Sequence, residues 1–291
     1  MALVRFSSYL KNRFGERVQR ISLHASMTCP NRDGTLGDDG CIYCNNAAFH
    51  IGLKQKKSIS EQMRTGMERA RKRYKAGKFL AYFQTFSNTY SDRKTLEHLY
   101  RSVLSFENVV GLMISTRPDC INSDIVSLLT DLSRTTLVWV ELGIQSKHNK
   151  TLHRINRGHT REHSEIAVDL LQQASVNTAA HIILGLPGET EKRMMQTADW
   201  LAGLRVQAVK LHQLHAVKDT ILEKMYWDGL WKPLKVDEYI EYAAAFLNQM
   251  PDGTIIMRMV ADCPDDLLVA PHWHLSKQAI ERNILKRIPF E

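Results

Sequence analysis

The sequence predicts an α/β protein built on a parallel barrel, complete or partial, of six strand–helix units. Six short apolar, β-branched or aromatic segments recur, after the first, about every 30 residues. Segments with helical periodicity separate them, and no internal repeat or Pro/Ser-rich linker interrupts the series. Strand–helix alternation at this spacing is typical of βαβ units in a parallel sheet. Six such units favour a TIM-like barrel over a short doubly wound sheet.

The repeating pattern accounts for the chain up to residue 215. The six predicted strands cover 17–23, 79–84, 109–115, 136–144, 178–184 and 207–213. The predicted helices between them cover 60–76, 93–105, 122–134, 159–175 and 190–203. The pattern then changes, and a helix, a strand and a helix are predicted at 236–250, 254–260 and 276–287. We therefore expect a barrel domain over 1–215 and a C-terminal α/β extension over 216–291 that closes the barrel.

Strand alternation predicts which side chains point into the barrel, because successive residues of a strand face opposite sides of the sheet. In the last three predicted strands one face is apolar and suits packing under helices. The opposite face carries Glu141, Gln145, His181, Lys210 and His212. Several strands with inward polar residues near their C-terminal ends indicate a functional site, since barrel enzymes keep their chemistry there.

A cysteine-rich loop, residues 29–44, follows the first predicted strand. Cys29, Cys41 and Cys44 are spaced C-x11-C-x2-C around a run rich in Gly, Asp and Asn. The odd cysteine count disfavours a disulfide framework and favours a metal site. One interpretation is a structural zinc with His50 or His24 as fourth ligand. The other is a [4Fe–4S] cluster that leaves one iron free for a substrate or cofactor.

Positive charge is concentrated in the segment that holds this loop. The net charge is +8, and residues 1–80 carry 16 Lys and Arg against 6 Asp and Glu. A basic field around a catalytic mouth would attract a polyanion such as RNA. The same run could instead be a solvated helix face. The clustered residues are Lys54, Lys56, Lys57, Arg69, Arg71, Lys72, Arg73, Lys75 and Lys78.

The N-terminal segment MALVRFSSYL has no apolar run long enough for a signal peptide. No later stretch approaches the ~20 apolar residues of a membrane-spanning helix. We expect a cytoplasmic protein without a membrane partner, whose thiols stay reduced and available to a metal.

Seven motifs follow the predicted strands in order along most of the chain. They are TCPNRDGT…GCIYCNN at 28–46, AYFQTFSNTY at 81–90, STRPDC at 115–120, VELGIQS at 140–146, INRGH at 155–159, HIILGLPGET at 181–190 and VKLHQLHAVKDT at 209–220. Through them the chain resembles the radical SAM superfamily, in the branch of oxygen-independent coproporphyrinogen oxidase and the elongator catalytic subunit. Within that branch it is most similar to the YhcC/YtqA-type family. The resemblance implies a partial (β/α)6 radical SAM barrel with a [4Fe–4S] cluster and S-adenosyl-L-methionine (SAM).

The resemblance also implies roles for matching residues. Cys29, Cys41 and Cys44 would bind three irons, and the amino and carboxylate groups of SAM would chelate the fourth. Tyr43 would pack beside the adenine. Arg157 would bind the methionine carboxylate, since its planar fork suits a carboxylate.

Further SAM contacts are implied on the following strands. Gln84 stands where relatives have a glycine-rich segment that binds the SAM amino group. Ser115 stands where several relatives have a ribose-binding Glu, and His181 where coproporphyrinogen oxidase has an Asp. Gln145 matches a SAM-binding position, and the backbone from Gly185 to Pro187 would flank the adenine.

The chemistry that the resemblance implies is reductive cleavage of SAM to a 5′-deoxyadenosyl radical, which abstracts hydrogen from the substrate. A low-potential donor such as flavodoxin or ferredoxin would supply the electron. The favoured substrate is a tRNA base, with remodelling of a wobble-uridine side chain. The alternatives are a radical SAM enzyme acting on a small metabolite or cofactor precursor, and a non-catalytic zinc-bearing RNA-binding protein.

Overall fold

A computed structural model of the chain describes residues 3–45 and 57–288. Strands and helices alternate along it as the sequence pattern predicts, with short additional elements at the start and after β7. In chain order the elements are β1 (Val4–Arg5), α1 (Phe6–Phe14), β2 (Val18–Leu23), α2 (Ile59–Tyr74), β3 (Lys78–Phe83), α3 (Arg93–Leu104), β4 (Val109–Thr116), α4 (Ser123–Ser133), β5 (Leu137–Gln145), α5 (Asn149–Arg154), α6 (Arg161–Gln173), β6 (Asn177–Leu184), α7 (Glu191–Leu204), β7 (Ala208–Gln213), β8 (Ala216–Val217), α8 (Ile221–Trp227), α9 (Val236–Asn248), β9 (Ile255–Arg258), β10 (Leu268–Ala270) and α10 (Lys277–Leu285).

Eight strands form one sheet in the order β1-β9-β7-β6-β5-β4-β3-β2. Every neighbouring pair in it is parallel. The six predicted strands lie together as β2 to β7, which confirms the predicted α/β fold. Because β1 and β2 form the two edges, the architecture is a partial TIM-like barrel.

The two faces of the sheet have different cores. The outer face packs beneath the helices, and the alternate apolar residues of β5, from Val138 to Ile144, belong to that core. A second core fills the inner face at the N-terminal ends of the strands. There α1 packs against Trp139, whose ring meets those of Phe6 and Tyr9 edge-to-face at 5.6 and 5.7 Å. Because apolar side chains fill the inner face there, polar residues occupy this face only toward the C-terminal ends of the strands.

The C-terminal part of the chain lengthens the main sheet. Strand β9 pairs with β7 on one side and with β1 on the other. Helix α9 adds its buried residues to the outer core, while β8 and β10 form a separate antiparallel pair. The predicted boundary at residue 215 falls between β7 and β8, and β9 beyond it belongs to the same sheet as the barrel strands.

The basic run on α2 lies away from the mouth of the barrel. A helix between two parallel strands must run antiparallel to them, so α2 starts near the C-terminal strand ends and returns toward the start of β3. Its 16 residues span about 24 Å. Arg71, Lys72, Arg73 and Lys75 therefore lie at the opposite end of the barrel from the cysteine loop. The predicted basic field at the mouth is wrong for these residues, while Lys54 and Lys56 lie outside the described residues.

Among the residues that the structure describes, no helix is long and apolar enough to cross a membrane.

Candidate active site

A cleft opens at the C-terminal ends of the barrel strands and encloses about 1090 Å³, part of it open to solvent. Most of the predicted site residues meet there although they come from six different segments. Those that line the cleft are Cys29, Cys41, Tyr43, Cys44, Gln84, Ser115, Gln145, Arg157 and His181. The inward-facing Glu141, Lys210 and His212 line it as well.

The cysteine loop is held in place by the segment that follows α5. The backbone N–H of Ile42 donates to the carbonyl of Ile155 (3.1 Å), and the Asn156 amide donates to the carbonyl of Gly40 (2.7 Å). Within the loop, the N–H of Cys44 donates to the carbonyl of Cys41 (2.9 Å). These bonds bring three cysteines, separated by up to 15 positions in the sequence, to one wall of the cleft.

Donor groups surround the cysteine sulfurs. The Arg157 guanidinium lies 3.6 Å from Cys41 Sγ, and the Asn31 amide lies 3.8 Å from the same sulfur. The Arg117 guanidinium lies 3.9 Å from Cys29 Sγ. Burial and the neighbouring Cys41 raise the pKa of Cys44 to about 11. Three cysteine sulfurs, one buried and two half-buried, with guanidinium groups beside two of them, suit a metal centre that takes thiolates and whose sulfur ligands are tuned by hydrogen bonds.

The donor set fits an iron–sulfur cluster. Across residues 3–45 and 57–288, no three His, Cys, Asp or Glu side chains lie close enough to hold a single metal ion. His24, one of the two predicted zinc ligands, contacts Thr85 Oγ1 through Nδ1 at 2.8 Å, and His50 lies outside the described residues. A [4Fe–4S] cluster takes one thiolate per iron, so its cysteines need only line one cavity, as these three do.

Unsatisfied polar atoms show that the cleft also fits SAM. Tyr43 Oη, Ser87 Oγ, Gln145 Oε1 and Arg157 Nε are buried and make no hydrogen bond within the described part of the chain. All four residues line the cleft. Buried polar groups are normally paired, so these atoms call for a polar ligand. The amino, carboxylate and ribose groups of SAM offer such partners.

Gly143 makes room for this arrangement. A Cβ atom at that position would lie 2.6 Å from Arg157 Nη2 and 3.0 Å from Gln145 Nε2. The glycine carbonyl accepts a hydrogen bond from Arg157 Nη2 (2.9 Å). Gln145 adopts a left-handed φ of 69°, which is uncommon for a residue other than glycine and frequent at functional sites.

The polar residues below the mouth form a hydrogen-bonded network around Glu141. Lys210 Nζ lies 2.6 Å from Glu141 Oε1 and donates to Tyr82 Oη (2.9 Å). Ser115 Oγ donates to Glu141 Oε1 (3.1 Å), and Tyr82 donates to Oε2 (3.0 Å). Ser115 is thus bound within the protein, and its contact with the SAM ribose stays a prediction, as does that of His181.

Gly185 and Pro187 are not among the residues that line the cleft. The Gly185 carbonyl accepts a hydrogen bond from Trp231 Nε1 (2.9 Å), and the Pro187 carbonyl faces the Arg154 guanidinium at 3.4 Å. Their proposed position beside the adenine stays a prediction.

The structure adds lining residues that sequence reasoning did not identify. They include Arg32, Arg117, His215 and, from β9, Arg258. Arg117 lies within a motif already noted and is fully buried against Asp119 (2.7 Å). No sequence motif marks Arg258, because this residue reaches the cleft only through the pairing of β9 with β7.

Family comparisons agree with this fold. The family model for the Radical SAM superfamily matches residues 28–201, and that for the Radical_SAM C-terminal domain matches residues 206–289. Protein YhcC of Escherichia coli K12 is 36% identical over 269 residues, which cover 92% of this chain and 86% of YhcC. A tRNA uridine(34) acetyltransferase of Methanocaldococcus jannaschii is 29% identical over 163 residues, 55% of this chain and 30% of that protein. The structure of Methanocaldococcus infernus Elp3 with an N-terminal deletion has the same fold, with a TM-score of 0.71, 19% identity, and coverage of 92% of this chain and 62% of that one.

The partial barrel, the three-cysteine loop and the matched family model define a radical SAM enzyme, with a [4Fe–4S] cluster and SAM as its cofactors. Within the superfamily the chain belongs to the YhcC/YtqA-type family. When bound, the cluster supplies the electron for reductive cleavage of SAM. Cys29, Cys41 and Cys44 would hold the cluster, and the guanidinium groups of Arg117 and Arg157 approach the sulfurs of Cys29 and Cys41.

Replacing Arg157 with lysine should weaken SAM binding about tenfold or more. Lysine keeps the positive charge but cannot present the guanidinium fork, so a charge-assisted hydrogen bond is lost. The measurement is equilibrium binding of SAM to the anaerobic, cluster-loaded protein. Arg134→Lys is the matched control, since Arg134 is exposed after α4 and does not line the cleft. Unchanged SAM affinity would contradict a contact between Arg157 and the cofactor.

Proposed function

We propose that this enzyme modifies a uridine at the wobble position of tRNA, converting a 5-carboxymethylaminomethyl side chain to 5-aminomethyl. The reaction is a two-electron oxidation of the CH2 next to the carboxylate, with SAM as the oxidant, followed by addition of water that breaks the C–N bond and releases the two-carbon fragment as glyoxylate. The similarity to a tRNA uridine(34) acetyltransferase supports RNA as the substrate class. A low-potential one-electron donor such as flavodoxin or ferredoxin is the second proposed partner, because the cluster must be reduced before SAM is cleaved.

The observation that carries the proposal is the surface beside the cluster loop, which we call the rim segment, residues 216–235. It packs on the cysteine loop, where the Leu222 N–H donates to the carbonyl of Ile42 (2.8 Å) and the Asn45 amide donates to that of Lys218 (2.8 Å). Trp227 and Leu230 are 69% and 71% exposed. An exposed aromatic ring next to a cleft offers a stacking surface for a nucleobase.

The rim segment also presents four exposed lysines to an incoming polyanion: Lys218, Lys224, Lys232 and Lys235. Its three acids, Asp219, Glu223 and Asp228, offset part of this charge. Glu223 is held within the segment, since its carboxylate accepts from the N–H of Asp219 (2.8 Å). We therefore expect stacking and charge to act together in holding RNA at the mouth.

Comparison of two fourfold variants tests this docking surface. Replacing the four rim lysines with glutamine should weaken tRNA binding and flatten its salt dependence, because each neutralised phosphate releases counterions. The matched control replaces Arg71, Lys72, Arg73 and Lys75, which removes the same charge from the far end of the barrel. Affinity is measured over a series of salt concentrations. A larger loss in the control than in the rim variant would contradict docking at the mouth.

The substrate itself is tested by comparing the modified nucleosides of total tRNA from cells with and without this gene. We expect the wobble nucleoside with the carboxylate-bearing side chain to accumulate in cells that lack the gene. Identical nucleoside profiles would overturn the tRNA proposal and favour a small metabolite as the substrate of the same cleft.

A further inference from the structure

Among the described residues, one cation of the cleft makes no close contact with an anionic or cysteine-loop group. The described cations that line it are Arg32, Arg117, Arg157, Lys210 and Arg258, against one described carboxylate, Glu141. Arg117 pairs with Asp119, and Lys210 with Glu141. Arg32 and Arg157 lie against the cysteine loop, Arg32 on the carbonyl of Cys44 and Arg157 on the sulfur of Cys41. The remaining positive charge belongs to Arg258.

Arg258 ends a row of residues that stand side by side across four strands. Gly143 of β5 is paired in register with His181 of β6, His181 with Lys210 of β7, and Lys210 with Arg258 of β9. Residues paired in register project to the same face of a sheet. At a strand spacing of about 4.8 Å, Arg258 begins roughly 14 Å from Gly143, the glycine that contacts Arg157. The two arginines therefore occupy opposite ends of the row.

The contacts of Arg258 leave its guanidinium without a close ion pair, although Glu141 attracts it at longer range. Its Nε donates to the carbonyl of Leu211 (3.3 Å), and its Nη2 lies 3.4 Å from His181 Nε2. In the described part of the chain no carboxylate lies within 4 Å of it. Burial lowers the pKa of His181 and of His212, and that of His215 to about 4, so these rings are neutral near pH 7. A second cation, Arg20, lies on the far side of the network and adds to the positive field.

We propose that Arg258 binds a carboxylate of the substrate and thereby selects for acid-bearing side chains. SAM has one carboxylate, which Arg157 and the cluster would take at the other end of the row. A carboxylate at the Arg258 end would therefore come from the substrate. The guanidinium fork of Arg258 suits a carboxylate, which it can bind with two parallel hydrogen bonds. Because Arg258 lies at the bottom of the cleft, the end of a base side chain can reach it, whereas the backbone phosphates stay at the mouth. This inference rests on the proposed function, whose substrate side chain ends in one carboxylate.

The first arm of the test does not depend on RNA. Acetate and its neutral isostere acetamide are titrated by ligand-observed NMR into the anaerobic, cluster-loaded protein saturated with SAM, which fills the Arg157 end. We expect acetate to bind the parent and acetamide not to. In Arg258→Gln, acetate affinity should fall about 10- to 100-fold, as for loss of a hydrogen bond to a charged group. Arg258→Lys should lie between the two. Arg20→Gln, which removes an equal charge outside the cleft, should retain acetate binding.

The second arm uses anticodon stem-loop RNAs that carry 5-carboxymethylaminomethyluridine or its neutral methyl ester at the wobble position. The parent should convert the acid at least tenfold faster than the ester, and Arg258→Gln should lose this preference. If acetate binding depends on Arg258 but neither RNA is converted, the carboxylate site stands and the tRNA function fails. If the RNAs are converted equally, or if acetate binding is absent or insensitive to Arg258→Gln, the assignment of Arg258 is overturned.

Discussion

Replacing Cys41 with alanine is expected to abolish cluster binding, with iron falling from about four atoms per chain to less than one. The three loop cysteines would each serve one iron, and neither Cys120 nor Cys263 lines the cleft. Cys41 is also the sulfur that both Asn31 and Arg157 approach. Its loss therefore removes a ligand together with the acceptor of these two contacts. Iron content and the visible absorption of anaerobically purified protein measure the effect.

Cys263→Ala is the matched control for this variant, because it removes a half-buried thiol that does not line the cleft. It should retain the iron content of the parent. Full iron loading of Cys41→Ala would show that the cluster is held by other residues and would remove the basis of the site described above.

Replacing Glu141 with glutamine is expected to destabilise the protein by about 3–5 kcal/mol, the usual cost of leaving a buried charge without its partner. Glutamine keeps the shape but leaves Lys210 beside Arg258 and Arg20 with no carboxylate among them. Lys210 and Arg258 hold the pKa of Glu141 below its usual range despite burial. Lys210→Met should cost less, because Arg258 still attracts the carboxylate. Urea unfolding of the anaerobic protein measures both.

Two comparisons isolate the charge effect in this network. Tyr82→Phe removes one hydroxyl from the same network without changing its charge and should cost about 1 kcal/mol. The double variant Glu141→Gln/Lys210→Met should recover part of the loss from Glu141→Gln. If Lys210→Met proves more destabilising than Glu141→Gln, the positive surplus assigned to the cleft floor is wrong.

The sequence predicted the part of the fold that local periodicity determines. Alternation within β5, β6 and β7 identified Glu141, His181 and Lys210 as inward-facing, and the structure confirms this. Periodicity does not specify which distant segments pair. Strand β1 has two residues and gains its place by pairing with β9, some 250 positions later. Arg258 was missed for the same reason.

The predicted basic field at the mouth is wrong for the run on α2, because closeness in sequence does not imply closeness in space. Residues 69–78 follow the cysteine loop in the chain, but the helix carries them to the other end of the barrel. A helix that connects two parallel strands runs antiparallel to them, and this rule excludes these residues from the mouth. The hydrogen bonds of Ser115, by contrast, join residues of three different strands, so the motif around Ser115 does not predict them.

The central claim is that this chain holds a cluster that cleaves SAM, and one measurement tests it directly. Anaerobic, cluster-loaded protein is reduced, mixed with SAM and assayed for 5′-deoxyadenosine and methionine, beside Cys41→Ala treated in the same way. We expect both products from the parent, slowly even without substrate, and neither from the variant. Colourless parent protein that carries one tightly bound zinc and forms no 5′-deoxyadenosine would contradict the account.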